Sequence, residues 1–175
     1  MKNIVITCTV LILCLISCNK EDTLLNKGSI TVSSRKYFNG TYYVKGYSFE
    51  KSGFVDIFLN TTEADIVPGD SLNLSGGSEG ILLSVLSNNP NGFYLNARHN
   101  NLPDANTFFD NYITVNAPSF SPLTYVLKPF DVYTLKTKDN NYVKLLVTNV
   151  QEGSDYFDAD LKFVIQRDGS QLFSE

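Results

Sequence analysis

Asp131-Val132-Tyr133-Thr134-Leu135-Lys136-Thr137-Lys138-Asp139-Asn140-Asn141-Tyr142-Val143-Lys144-Leu145-Leu146-Val147-Thr148-Asn149-Val150 holds the most regular local pattern in this 175-residue chain. Val132–Thr137 and Tyr142–Val150 are β-type runs, and Lys138–Asn141 between them is turn material. A polar break, Gln151–Asp155, leads to a third run, Asp158-Ala159-Asp160-Leu161-Lys162-Phe163-Val164-Ile165-Gln166. There Ala159, Leu161, Phe163 and Ile165 alternate with Asp158, Asp160, Lys162 and Gln166. Successive strand side chains point to opposite faces, so the alternation predicts a half-buried strand. Three such runs with short connections predict an antiparallel meander from Asp131 to Gln166.

Working outward, the rest of the chain reads the same way. Gly28–Ser33 is a plausible strand, and Arg35–Phe49 is rich in aromatic residues. Asn39-Gly40 signals a two-residue hairpin with Arg35–Phe38 and Thr41–Val44 as its arms. Gly46–Phe49 and Phe54–Leu59 form strands around the turn Lys51–Gly53. Thr61–Glu79, with Pro68, Gly69, Gly76 and Gly77, reads as a long loop. Gly80–Leu86 and Phe93–Arg98 are strands about the turn Asn88–Gly92, and Leu123–Leu127 is another. The one helical segment spans about 103–112: Asp104 stands as its cap, and Phe108, Phe109 and Tyr112 share a face. The fold class is therefore all-β or β-rich: a single antiparallel sheet or sandwich domain with one short helix and a C-terminal β-meander.

The N-terminus carries an address. Lys2 precedes Ile4–Ile16, an apolar run interrupted only by threonine and cysteine. It is too short for a bilayer span, which needs about 20 residues. Leu15-Ile16-Ser17-Cys18 matches the lipobox of bacterial lipoprotein signals. The expected organisation is a lipoprotein signal peptide at 1–17, a tether at 18–27 with its lipid on Cys18, and one β-rich domain at 28–175. The membrane is then a partner through the lipid anchor. Asn19-Lys20-Glu21-Asp22 resembles the export signal of surface lipoproteins of Bacteroidetes, which implies an outer-membrane, surface-exposed location. Asp22-Thr23-Leu24 and Asp70-Ser71-Leu72 resemble the O-glycosylation acceptor motif of exported proteins of that phylum, with Thr23 and Ser71 as acceptors.

Loss of Lys2 with the signal takes the net charge from −4 to −5, which argues against a nucleic-acid partner. Cys8 and Cys14 leave with the signal, so the domain has no free cysteine, disulfide or cysteine metal site. His99 is the only histidine, and no nucleophile elbow, phosphate loop or dinucleotide fingerprint is present, so an enzyme is not expected. Asp158 and Asp160 share a strand face and read as a solvated outer face rather than a metal site. Ten Tyr and twelve Phe are mostly core material, but Tyr42, Tyr43 and Tyr47 are candidates to line a groove for a flat ligand or a glycan.

Pro129–Thr137 followed by Asn141–Val147, with Phe163–Ser170 and Phe173, resembles the closing strands of the HmuY-like surface lipoproteins of Bacteroidetes. Tyr47-Ser48-Phe49 and Asp56-Ile57 resemble that family's middle section. The resemblance implies a mostly β, lipidated protein of the cell surface that captures haem through two side chains on the iron. This chain departs there: with one histidine, and Met1 cleaved away, it supplies neither a His/His nor a His/Met pair. His99, with a tyrosine partner, is the remaining iron-ligand candidate. The expected function is a non-enzymatic binding lipoprotein for haem or another small ligand. The alternative is an interaction lipoprotein that meets another surface protein or a glycan without binding haem.

Overall fold

In the computed structural model the described residues are 24–38, 42–57, 62–72, 74–87 and 89–173. The signal segment, Cys18, Thr23 and the Asn39-Gly40 turn lie outside them. The fold is β-rich, built on one antiparallel sheet of five strands with a single short helix.

The meander forms the middle of that sheet. We number the strands in chain order: β1 (Lys27–Ser33), β2 (Tyr37–Phe38), β3 (Tyr42–Tyr43), β4 (Lys45–Ser48), β5 (Gly53–Asp56), β6 (Val67–Leu72), β7 (Ser78–Ser84), β8 (Gly92–Arg98), β9 (Asp131–Lys136), β10 (Tyr142–Glu152) and β11 (Phe157–Gln166), with helix α1 (Leu102–Asn111) between β8 and β9. The sheet order is β1-β11-β10-β9-β8. Val143 pairs with Leu135 on one side and Ile165 on the other, so the central strand is bonded along both edges.

Both faces of this sheet are covered. Leu135, Val143, Leu145, Val147, Leu161 and Phe163 point into the main core. There they meet Tyr47, Phe49, Ile66, Ile81 and Leu83 from the hairpins β4–β5 and β6–β7. Tyr47 bridges to Ile66 and so joins the two hairpins into a second layer, β5-β4-β6-β7. On the opposite face Ala105 and Phe109 of α1 pack on Val132 and Leu146. That double covering explains why β10 is buried continuously from Tyr142 to Val147 instead of alternating. The polar side chain in this run, Lys144, is accommodated by the helix end: its Nζ donates to the carbonyls of Phe109 (2.7 Å) and Tyr112 (3.2 Å). A cation there also suits the negative end of the helix dipole.

Three expectations change in detail. Thr61–Glu79 is not a loop throughout, because Val67–Leu72 forms β6 and pairs antiparallel with β7. Pro68 and Gly69 disguise it, but the side of Pro68 that cannot donate is tolerated in a two-stranded hairpin. The helix cap is Asn101, not Asp104: Asn101 Oδ1 accepts from the Asp104 backbone N–H at 2.9 Å. Asp104 occupies the third helical position, where its carboxylate accepts from Asn101 Nδ2 at 2.8 Å. Leu123–Leu127 is not a regular strand but a strap held by isolated bonds, with Thr124 N–H donating to Leu83 O and Leu127 N–H to Ile81 O. Among the described residues no helix is long and apolar enough to cross a membrane.

Candidate binding site

The strap creates the site. Phe93 of β8 and Ser121 exchange backbone hydrogen bonds of 2.7 and 2.8 Å, so the strap begins as a neighbour of β8. Pro122 has no N–H with which to continue that ladder, and its carbonyl instead accepts from Val85, next to β7. Thr124 completes the transfer: its hydroxyl accepts from the Leu83 N–H at 2.9 Å. The strap thus stitches the two layers together and diverges from β8 after Ser121. The wedge left behind is a cleft of about 480 Å³. Phe93, Tyr94 and Leu95 form one wall, Phe120, Leu123 and Tyr125 the other, and Tyr133 of β9 the floor.

Gly92 is required at the root of this wedge. Its φ is +149°, and a β-carbon there would run into the Ser121 carbonyl.

The buried acid Asp131 and its partner Arg98 lie outside the cleft lining but touch it through Tyr133 and Tyr125. Asp131 is 1% exposed, accepts from the Tyr133 hydroxyl at 3.3 Å and faces Arg98 Nε at 3.5 Å. Burial pushes the Asp131 carboxyl above its ordinary range, and the Arg98 guanidinium opposes that shift. Tyr133 is pushed far up by burial and then by the Asp131 charge, so its hydroxyl stays neutral and donating. Arg98 lies over the Tyr125 ring, 5.2 Å from its centre, and Tyr125 is 66% exposed. The cleft therefore presents aromatic walls beside a guanidinium whose charge is balanced by Asp131. Such a site favours a flat or ring-shaped body carrying hydrogen-bond acceptors.

A second hollow, about 780 Å³, lies between β1, β11 and α1. Two of its lysines are engaged: Lys162 Nζ contacts Asn106 Oδ1 and Asp110 Oδ1, each at 3.1 Å, and Lys144 holds the helix end, while Lys27 lines the hollow at its β1 side.

The residues singled out from sequence are dispersed. His99 follows Arg98 but turns to the helix side, where its ring sits 5.3 Å from Phe108. Its Nε2 is buried without a hydrogen-bond partner, and it lines neither hollow. Tyr47 belongs to the core rather than to a groove: it is 3% exposed, edge-on to Phe49 and Phe54, and burial raises its pKa. Tyr42 and Tyr43 pair through the backbone with Phe38 and Tyr37. Ser71 is half-buried within β6, paired with Gly80, and not in an open loop. Asp160 accepts from Thr31 and Asn149, so it serves the sheet surface. Among the described residues no three His, Cys, Asp or Glu side chains group as a metal site.

Arg98, Asp131, Tyr133 and Tyr125 escaped the sequence reading because register and strap bring them together. One signal was present: Asp131 and Tyr133 occupy the core-facing positions of a strand, where a carboxylate needs a partner. No protein-family model and no curated protein matches the chain.

Proposed function

We propose that this protein is a non-enzymatic surface lipoprotein of the HmuY-like type that holds a small ligand in the cleft between β8 and the strap. The observation that carries the reading is the cleft itself, with an exposed Tyr125 beside Arg98 and a neutralising buried Asp131. The motif ending at Cys18 supports lipid anchoring to the outer membrane, and the chain's acidity favours a partner other than nucleic acid. Haem is one ligand of suitable shape, and in this reading it is gripped by the cleft walls with no bond from His99 to iron. The test uses the chain from Asn19 onward, titrated separately with haemin and with the flat fluorescent probe anilinonaphthalene sulfonate. Saturable binding of at least one, weakened in Tyr125→Ala and Arg98→Ala and unchanged in His99→Ala, is the expected result. Loss of the haemin Soret shift in His99→Ala alone would move the site to the helix side, and no saturable binding of either probe would overturn the reading.

A further inference from the structure

Among the described residues the outer edge of β1 is an open pairing surface. On the inner side Ser34 N–H donates to Phe157 O, and Asn26 O accepts from Ile165 N–H. These bonds fix the phase of the ladder, in which Lys27 opposes Val164 and Ser33 opposes Asp158. Gly28, Ile30 and Val32 therefore turn their backbone groups toward β11. Lys27, Ser29, Thr31 and Ser33 turn theirs away from it. Among the described residues no strand pairs with that outer side. The opposite end of the sheet differs, since β8 is occupied at Phe93 by Ser121.

Sheet edges in proteins that stay apart are blunted by proline, bulges, short length or charge. β1 is seven residues long, keeps an unbroken register with β11 and has no proline. Its sole charge, Lys27, sits at one end.

We propose that β1 pairs antiparallel with β1 of a second copy of this chain, joining two five-stranded sheets across a two-fold axis at Ile30. The strand is complementary to itself in that arrangement. Full overlap sets Lys27 opposite the partner's Ser33 and Ser29 opposite the partner's Thr31. No like charges face each other, and the Ser–Thr pairs can hydrogen-bond. Because Ser33 is the register partner of Asp158, Lys27 comes within two strand spacings, about 10 Å, of the partner's Asp158. A lysine side chain spans most of that gap, and symmetry makes the ion pair twice. A one-residue slip would set outward-turned groups against inward-turned ones; a two-residue slip keeps the backbone pairing but moves Lys27 away from the partner's Asp158, so the charge pair selects the full overlap. An extended segment of an unrelated protein would find the same open ladder but no counterpart to Lys27 and Asp158.

Sedimentation velocity on the chain from Asn19 onward tests this directly. A concentration-dependent dimer is expected. Ser29→Pro removes an outward N–H at an exposed position and is expected to give monomer with unchanged far-UV circular dichroism. If that variant does not fold, Lys27→Glu carries the test: it is an exposed change that sets like charge against the partner's Asp158 and raises the dimer dissociation constant about tenfold or more. A chain that is monomeric throughout the accessible concentration range overturns the proposal, as does a dimer insensitive to Lys27→Glu.

Discussion

Asp65 shows how one residue links packing to pH. It is 1% exposed, and its Oδ2 accepts from the Phe49 N–H at 2.7 Å while Oδ1 has no hydrogen-bond partner. Burial raises its pKa from 3.8 to about 6; the Phe49 N–H opposes this and the Glu50 charge adds to it. A carboxyl whose pKa is higher folded than unfolded keeps its proton longer in the native state. Its contribution is therefore complete below about pH 4, falls as pH rises toward 6 and is lost above that. The shift corresponds to about 3 kcal/mol. Urea unfolding at pH 4.5 and pH 7 should show Asp65→Asn losing this decline while the parent chain retains it. Equal slopes in the two proteins would contradict the assignment. The composition contains nothing that marks Asp65 apart from the other acids, because its burial comes from the β4 hairpin that closes over it, where Phe49 N–H and Ser48 Oγ meet its carboxylate. Asp131 was hidden in the same way: it ends a turn in sequence, yet in space it faces Arg98 and Tyr133.

At the scale of elements, local chemistry and neighbours divide the work. The meander was legible because alternation in Asp158–Gln166 has period two and needs no context. β10 was legible as a strand but not as one covered on both faces, since that covering depends on where α1 lies. β6 was missed because Pro68 and Gly69 read as loop residues when pairing with β7 is not visible. The strap was read as a strand because Leu123–Leu127 has strand composition, whereas Pro122 breaks its ladder with β8. This origin of the cleft is testable at its root. Gly92→Ala should force the Ser121 carbonyl away and destabilise the protein by about 2 kcal/mol or more, measured by urea unfolding. It should also weaken probe binding more than Gly76→Ala, since Gly76 shares a positive φ (+80°) but has open space around it. A Gly92→Ala protein of parental stability and binding would show that the strap does not depend on this contact.

At the scale of the molecule, the two layers are tied at both ends. The strap closes one side, and Arg167 secures the base. Its guanidinium donates to the carbonyls of Leu25 (2.9 Å) and Phe49 (2.8 Å), and Nη1 meets Glu50 Oε2 at 3.3 Å. One planar fork thus joins the end of β11, the β4–β5 hairpin and the residues that lead into β1. Arg167→Ala should cost about 2–3 kcal/mol in urea unfolding and expose the Leu24–Lys27 segment to limited proteolysis. Arg167→Lys, which keeps charge but not the fork, should recover only part of the stability. A full recovery would mean that charge alone ties the base.

What the sequence determined by itself was local: the β-rich class, the order of most strands and one short helix. Those properties rest on periodicity, turn residues and short motifs, which act over a few neighbours. What only the tertiary structure decided was which residues share a space. Register set Arg98 beside Asp131, the strap brought Tyr125 to Arg98, packing of the second layer turned Tyr47 into core, and the helix on the opposite face took His99 against Phe108. Such encounters arise from long-range pairing and side-chain packing, and no spacing along the chain encodes them singly.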